Sequence, residues 1–187
     1  MARKRVIDQE HILDAAETVV ARDGAAQLTL DAVAGVAGIS KASVLYDYKS
    51  KAALVDAVVR RAVRRDAAFN LTMTEPFADA PDAVIRGRIA AAAHPLPDDF
   101  RAVALNLCAA LAQDAALRTH IQASQTTVID GVARTSASPR GARLAYLALE
   151  GLKLLESLDY HAWPADQRAE ILADIGWLVE ARPPARS

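Results

Sequence analysis

The chain has a single cysteine, Cys108, in 187 residues, so it can form no internal disulfide. One thiol fits a reducing compartment. Cys108 itself reads either as a small buried hydrophobe or as a redox sensor. Aromatic residues are scarce, at 5%. No apolar run approaches the roughly 18–20 residues that cross a bilayer. The opening "MARKRVIDQEHIL" is basic but runs into an acidic, periodic segment without the apolar centre of a secretion signal. A soluble cytoplasmic protein is the expectation. Strand-like alternation of any length is missing. So are HExxH, a glycine-rich phosphate loop and G-x-S-x-G, which leaves little support for an enzyme. His11, His94, His120 and His161 lie far apart without ligand spacing, so neither a metal nor another cofactor is expected.

Apolar residues make up 52% of the chain and are interleaved with charges, which supports a packed core and argues against disorder. Alanine is abundant, and the eight glycines and eight prolines fall mostly between periodic stretches. That pattern predicts an all-α protein of about nine helices. The net charge of −1 conceals an asymmetry: residues 1–65 carry +3 and residues 66–187 carry −4. Phosphate attraction depends on where charges face, so a nucleic-acid partner stays open for the first part.

The first helix is predicted over 8–23, with Ile12, Ala15, Ala16, Val19 and Val20 at helical spacing and Gly24 as its stop. In "LTLDAVAGVAG", Thr29 is the N-cap, Asp31 suits the positive end of the helix dipole, and Leu30, Val33 and Ala34 face inward. Gly38 ends this short helix. Ser40 caps another, running to about Tyr46, with Ile39 and Val44 as core contacts. Ser50 caps a longer helix with Leu54, Val55, Val58 and Ala62 inward. Its late Arg60, Arg61, Arg64 and Arg65 read as a solvated or inter-domain face, set against direct nucleic-acid contact.

After residue 70 the Pro/Asp-rich breaks "TEPFADAPD" and "AHPLPDD" bracket a helix at 81–93, followed by helices at 98–113, 114–134, 139–159 and 164–181. Apolar stripes run through Leu117, Ile121, Gln125, Val128 and Val132 in the third of these five. In the fourth they run through Leu144, Leu147, Ala148, Gly151, Leu155 and Leu158, and in the last through Ile171, Ile175, Leu178 and Val179. The division predicted is a domain of short helices over 1–50 and a helical bundle over 51–187, joined by the helix at about 50–68.

Residues 29–48 have the form of a helix-turn-helix: a short helix, a glycine turn and a second short helix. The second helix is slim enough for a major groove about 12 Å wide. Ser40, Lys41, Ala42 and Ser43 would meet base edges, while Tyr46, Tyr48, Lys49 and Lys51 would position the backbone. The amides at Thr29 and Ser50 are further phosphate candidates. Three of the five lysines fall between Ala37 and Leu54. The competing reading is a tight αα turn with a solvated polar rim.

The stretch "ILDAAETVVARDGAAQLTLDAVAGVAGISKASVLYDYKSKAAL", Ile12 to Leu54, resembles the DNA-binding domain of tetracycline-repressor-like (TetR family) regulators over some 43 residues. "ARLAYLALEGLKLLESL", with Glu150-Gly151-Leu152, is similar to the penultimate helix of one large branch. Leu45 and Tyr46 shift the usual tyrosine by one place, and Asp47 stands where histidine is common. Asp47 is therefore expected to point away from phosphate or to buttress Lys51 or an arginine, and Tyr48 to pack in the core.

The resemblance implies a homodimer on double-stranded DNA with a palindromic operator, acting as a repressor released by a small apolar or amphipathic effector. It implies an effector cavity, for which Phe69, Phe100, Leu105, Cys108, Tyr146 and Glu150 are candidates, each with core packing (or, for Glu150, solvation) as the alternative. It implies a dimer interface on the last two helices, through Leu144, Ala148, Gly151, Leu155, Ile171, Ile175 and Leu178. Arg3, Lys4 and Arg5 would reach the minor groove or adjoining phosphates, or form a solvated arm. A helical protein-binding adaptor without DNA binding, and an all-α enzyme, are the alternative functions.

Overall fold

The computed structural model describes residues 8–94 and 114–183. Eight α-helices occur among them: α1 (Gln9–Asp23), α2 (Leu30–Ala37), α3 (Lys41–Asp47), α4 (Lys51–Thr74), α5 (Ala83–Ala93), α6 (Ala115–Thr135), α7 (Pro139–Ser157) and α8 (Ala165–Glu180). No strand occurs among the described residues. The helix expected at 98–113 lies outside them. The described residues fall into two compact units, one of 8–63 with 114–120, the other of 64–94 with 121–183.

In the first unit the expected stops and starts are visible as hydrogen bonds. Asp8 caps α1 by accepting from the Glu10 amide at 3.0 Å. Thr29 caps α2 through the Ala32 amide at 3.1 Å, and Ser40 caps α3 through the Ser43 amide at 3.1 Å. Ser50 does the same for α4 through the Ala53 amide. Gly38, between α2 and α3, has φ 63°, a left-handed conformation that side-chain-bearing residues resist. The Ile39 amide then closes on the Ala34 carbonyl at 3.1 Å, so chain direction changes within two residues. Ile12, Ala16, Val19 and Val20 of α1 are buried, as are Leu28, Val33, Val44, Tyr48, Leu54 and Val58. Val44 is the one buried residue of α3, so the rest of that helix stays at the surface.

One arginine departs from expectation. Arg61 was placed on a solvated or inter-domain face, yet only 2% of its side chain is exposed. Its guanidinium reaches three carboxylates of α1: Glu17 at 2.6 Å, Asp14 at 2.8 Å and Glu10 at 3.0 Å. The residues Glu10, Asp14 and Glu17 recur at helical spacing, so one face of α1 offers an acidic row. Burial would lower the Arg61 pKa, but the hydrogen bonds and charges of Glu17 and Asp14 outweigh it and raise the pKa above its ordinary value.

The second unit packs around Ile85, Val132, Ala142, Ala145, Tyr146, Leu149, Leu172, Ile175 and Val179. Asp82, in the left-handed conformation at the start of α5, is buried and accepts from the Ala137 amide at 3.2 Å. Its own amide donates to the Thr135 carbonyl at 2.9 Å, which ties α5 to the turn after α6. Gly87 touches α4 so closely that a Cβ there would collide with the Thr74 side chain and Cα. On α7 the buried face is Ala142, Ala145, Tyr146, Leu149 and Leu152. The stripe seen in the sequence, through Leu144, Leu147 and Leu155, is instead the exposed face.

Candidate nucleic-acid interface

The surface of α3 is built from small and cationic side chains over one buried anchor. Ser40, Lys41, Ala42 and Tyr46 are exposed and Ser43 is half-buried. The Ser40 and Ser43 hydroxyls lie 2.8 Å apart, and Ser40 also accepts the Ser43 amide, so this pair fixes the start of the helix. Tyr46 is 71% exposed. Its ring lies under the Lys49 ammonium at 5.0 Å, and Lys49 also donates to the Tyr46 carbonyl. Lys51 donates to the Ala26 carbonyl at 2.7 Å. Both lysines are thus oriented by neutral carbonyls that leave their charge intact. Lys41 differs, because its ammonium is 2.7 Å from the Asp31 carboxylate. The Thr29 hydroxyl is occupied in capping α2.

Asp47 takes neither Lys51 nor an arginine. It accepts from the Gln9 side-chain Nε2 at 3.2 Å, joining the end of α3 to the start of α1. Tyr48 is buried as expected, and burial, followed by the charges of Asp47 and Glu10, raises its pKa. Arg3, Lys4 and Arg5 lie outside the described residues.

In the second unit the effector candidates are dispersed. Tyr146 is a core residue whose hydroxyl donates to Gln125, and burial together with the Glu150 charge pushes its pKa up to about 12. Glu150 is partly buried and receives Arg88 at 3.2 Å and Lys153 at 3.3 Å. Arg88 is itself buried, lies 5.7 Å from the Tyr146 ring centroid, and has an Nε without a hydrogen-bond partner. Phe69 is exposed with its ring edge-on to His94. Phe100, Leu105 and Cys108 lie outside the described residues. A cleft of about 330 Å³ is lined by Pro81, Asp82, Arg86, Ser138, Glu180 and Arg182 among others, and by none of the expected effector residues.

Among the expected interface residues, Leu144 and Leu155 are exposed, while Ala148, Ile171 and Leu178 are partly buried against the core. Gly151 has open space where a Cβ would stand. Ile175 differs from these in its burial. It is 3% exposed, because Leu172, Ile175 and Val179 form the face of α8 that turns into its own unit. Leu147 and Trp177, not singled out as interface residues in the sequence, are exposed apolar residues.

The sequence matches the profile for bacterial regulatory proteins of the tetR family over residues 12–58. A second match, described as the tetracyclin repressor-like C-terminal domain, covers residues 82–180, more than half of the chain. The chain belongs to the tetR family.

Solved structures carry the same fold. A transcriptional regulator from Rhodococcus sp. Rha1 is 22% identical, with TM-score 0.69 over 93% of this chain and 97% of that one. A TetR family member from Streptomyces coelicolor A3 is 23% identical, with TM-score 0.65 over 89% and 96%. The multidrug binding protein EbrR complexed with malachite green is 24% identical, with TM-score 0.69 over 96% and 100%. No curated protein matches the sequence. This tetR-family chain is therefore a transcriptional regulator with a helix-turn-helix domain, not an enzyme. Among its described residues no helix is long and apolar enough to cross a membrane.

Proposed function

We propose that the protein is a ligand-responsive repressor that binds a palindromic operator as a dimer and is released by a small-molecule effector. In this reading residues 1–50 bind DNA and residues 51–187 form the effector-binding and dimerisation part. The observation that carries it is α3, whose one buried residue is Val44 and whose other side chains stay at or near the surface beside Lys41, Lys49 and Lys51. Ser40 to Ser43 form a slim edge for base contacts, and exposed Tyr46 with Lys49 and Lys51 serves phosphate. Two copies would place these helices about 34 Å apart, one turn of DNA. EbrR, solved with malachite green and with ethidium, supports a small-molecule effector for this fold.

The effector works by binding one dimer geometry better than the other, since equal affinity for both would shift nothing. Operator selection from random duplexes, followed by a ligand screen for release, tests the proposal. A selected palindrome that a small molecule dissociates is the expected result. Failure of the dimer to retain any duplex above background sinks the reading. Within that assay, Lys51→Ala is expected to weaken all duplexes alike and flatten the salt slope by about one unit.

A further inference from the structure

Three lysines flank the exposed helix, and they are not equivalent. Lys49 and Lys51 are bonded to backbone carbonyls, which are neutral. Lys41 alone is bonded to a carboxylate, with Nζ 2.7 Å from Asp31 Oδ2. Asp31 is on α2 and Lys41 is the first residue of α3, so the pair bridges the two helices across the Gly38 turn. Both side chains are more than half exposed, at 66% for Asp31 and 57% for Lys41. An ion pair this exposed adds little to folding. Thr29, not Asp31, provides the capping bond at the start of α2. As an exposed first-turn acid of α2, Asp31 adds only a modest stabilisation through the helix dipole, so the fold makes only a small demand on a carboxylate at this position.

We propose that Asp31 is a specificity-determining residue that holds Lys41 away from phosphate and so suppresses binding to non-operator DNA. The inference rests on the DNA-binding reading above. Non-specific complexes draw their affinity from phosphate neutralisation and the release of counterions. A lysine already neutralised by a carboxylate contributes no such release, and the carboxylate repels the backbone as well. In the operator complex Lys41 meets base edges, where a guanine offers two acceptors to an oriented ammonium. Asp31 then keeps the ammonium in place and costs little. The result is a larger ratio between operator and random-sequence affinity, gained by weakening the wrong complex rather than tightening the right one.

The test uses the full-length chain and two duplexes, the operator selected by the parent and a scrambled sequence of equal length, titrated across salt concentrations. Asp31→Asn, which keeps the shape of the side chain, is expected to tighten the scrambled duplex about threefold. It should also steepen that duplex's salt slope by about one unit and lower the operator-to-scrambled ratio. In a Lys41→Ala background the same substitution should leave the slope unchanged.

If Asp31 merely orients α3, Asp31→Asn will instead weaken the operator and leave the scrambled salt slope as it was. That outcome overturns the inference, as does an unchanged operator-to-scrambled ratio. A parent that binds neither duplex overturns the DNA-binding reading itself, which distinguishes the two failures.

Discussion

Arg61 on α4 and Glu17 on α1 meet at 2.6 Å, with the arginine almost wholly removed from water and the glutamate four-fifths removed. Asp14 and Glu10 complete the arrangement one and two turns earlier on α1. Within the first unit, α1 is thereby fixed to the first half of α4. Removing Arg61 leaves three carboxylates clustered and a void behind, whereas removing one carboxylate leaves two partners. Arg61→Ala is therefore expected to cost about 3 kcal/mol. Glu10→Gln, whose carboxylate is already well exposed, is expected to cost under about 1 kcal/mol. Denaturant midpoints of the two variants check the order; equal losses would contradict it.

Gly87 sets helix propensity against packing. Gly to Ala inside a helix ordinarily gains about 1 kcal/mol. At Gly87 the added carbon meets the Thr74 side chain and Cα, which cannot withdraw without moving α4. Overpacking of this kind costs about 1–3 kcal/mol, so the net effect of Gly87→Ala is expected to be destabilising. Gly35, with open space around its missing Cβ, should show the opposite sign on the same substitution. A thermal melt of both variants reads the contrast directly.

Tyr146 gives the unit around it an alkaline limit. Its hydroxyl is buried, donates to Gln125, and ionises near pH 12 rather than 10. The unfolded chain therefore loses this proton first. Stability is unaffected below about pH 10 and declines as pH rises toward about 12. Stability followed against pH should show that decline in the parent and a shallower one in Tyr146→Phe. An identical slope in the two proteins would remove Tyr146 from the account.

The exposed stripe of α7 bears on assembly. Leu144, Leu147 and Leu155 are exposed, Gly151 has open space where a Cβ would stand, and Ala148 borders the core. In the proposed dimer this face is covered by a second copy. Leu144→Glu with Leu155→Glu is expected to convert the dimer to a folded monomer in sedimentation and to abolish operator binding. A variant that still sediments as a dimer would place the interface elsewhere. Leu149→Ala, on the buried face, should unfold the unit by roughly 2–5 kcal/mol without that selectivity.

Local chemistry was readable because each device acts within a few residues. Thr29, Ser40 and Ser50 cap the helices they precede, and Gly38 makes the turn, since a hydroxyl three residues from an amide or a glycine at positive φ needs no distant partner. The surface of α3 follows from the same short range: with Val44 inward, its neighbours must face out. The arginines were not readable. Arg60 and Arg61 are adjacent and chemically identical, yet one is half exposed and the other buried, because only Arg61 has the phase on α4 that meets the acidic row of α1. The row itself, Glu10, Asp14 and Glu17, was a signal that helical spacing offered and that an inward cation would have explained.

Asp31 and Asp47 show the same limit at the candidate interface. Asp31 has no cation near it in sequence yet takes Lys41, ten residues away, while Asp47, close to Lys49 and Lys51, takes Gln9 of another helix and leaves Lys51 to a carbonyl. On α7 periodicity revealed an apolar stripe without saying that a second, denser face of Ala142, Ala145, Tyr146 and Leu149 held the core. Sequence by itself determined the helices, their caps, the helix-turn-helix and the family, because these depend on spacing along one chain. Tertiary structure alone decided which of two like arginines is buried, which acid neutralises which lysine and which face of α7 turns to water. Those choices depend on where the other helices stand.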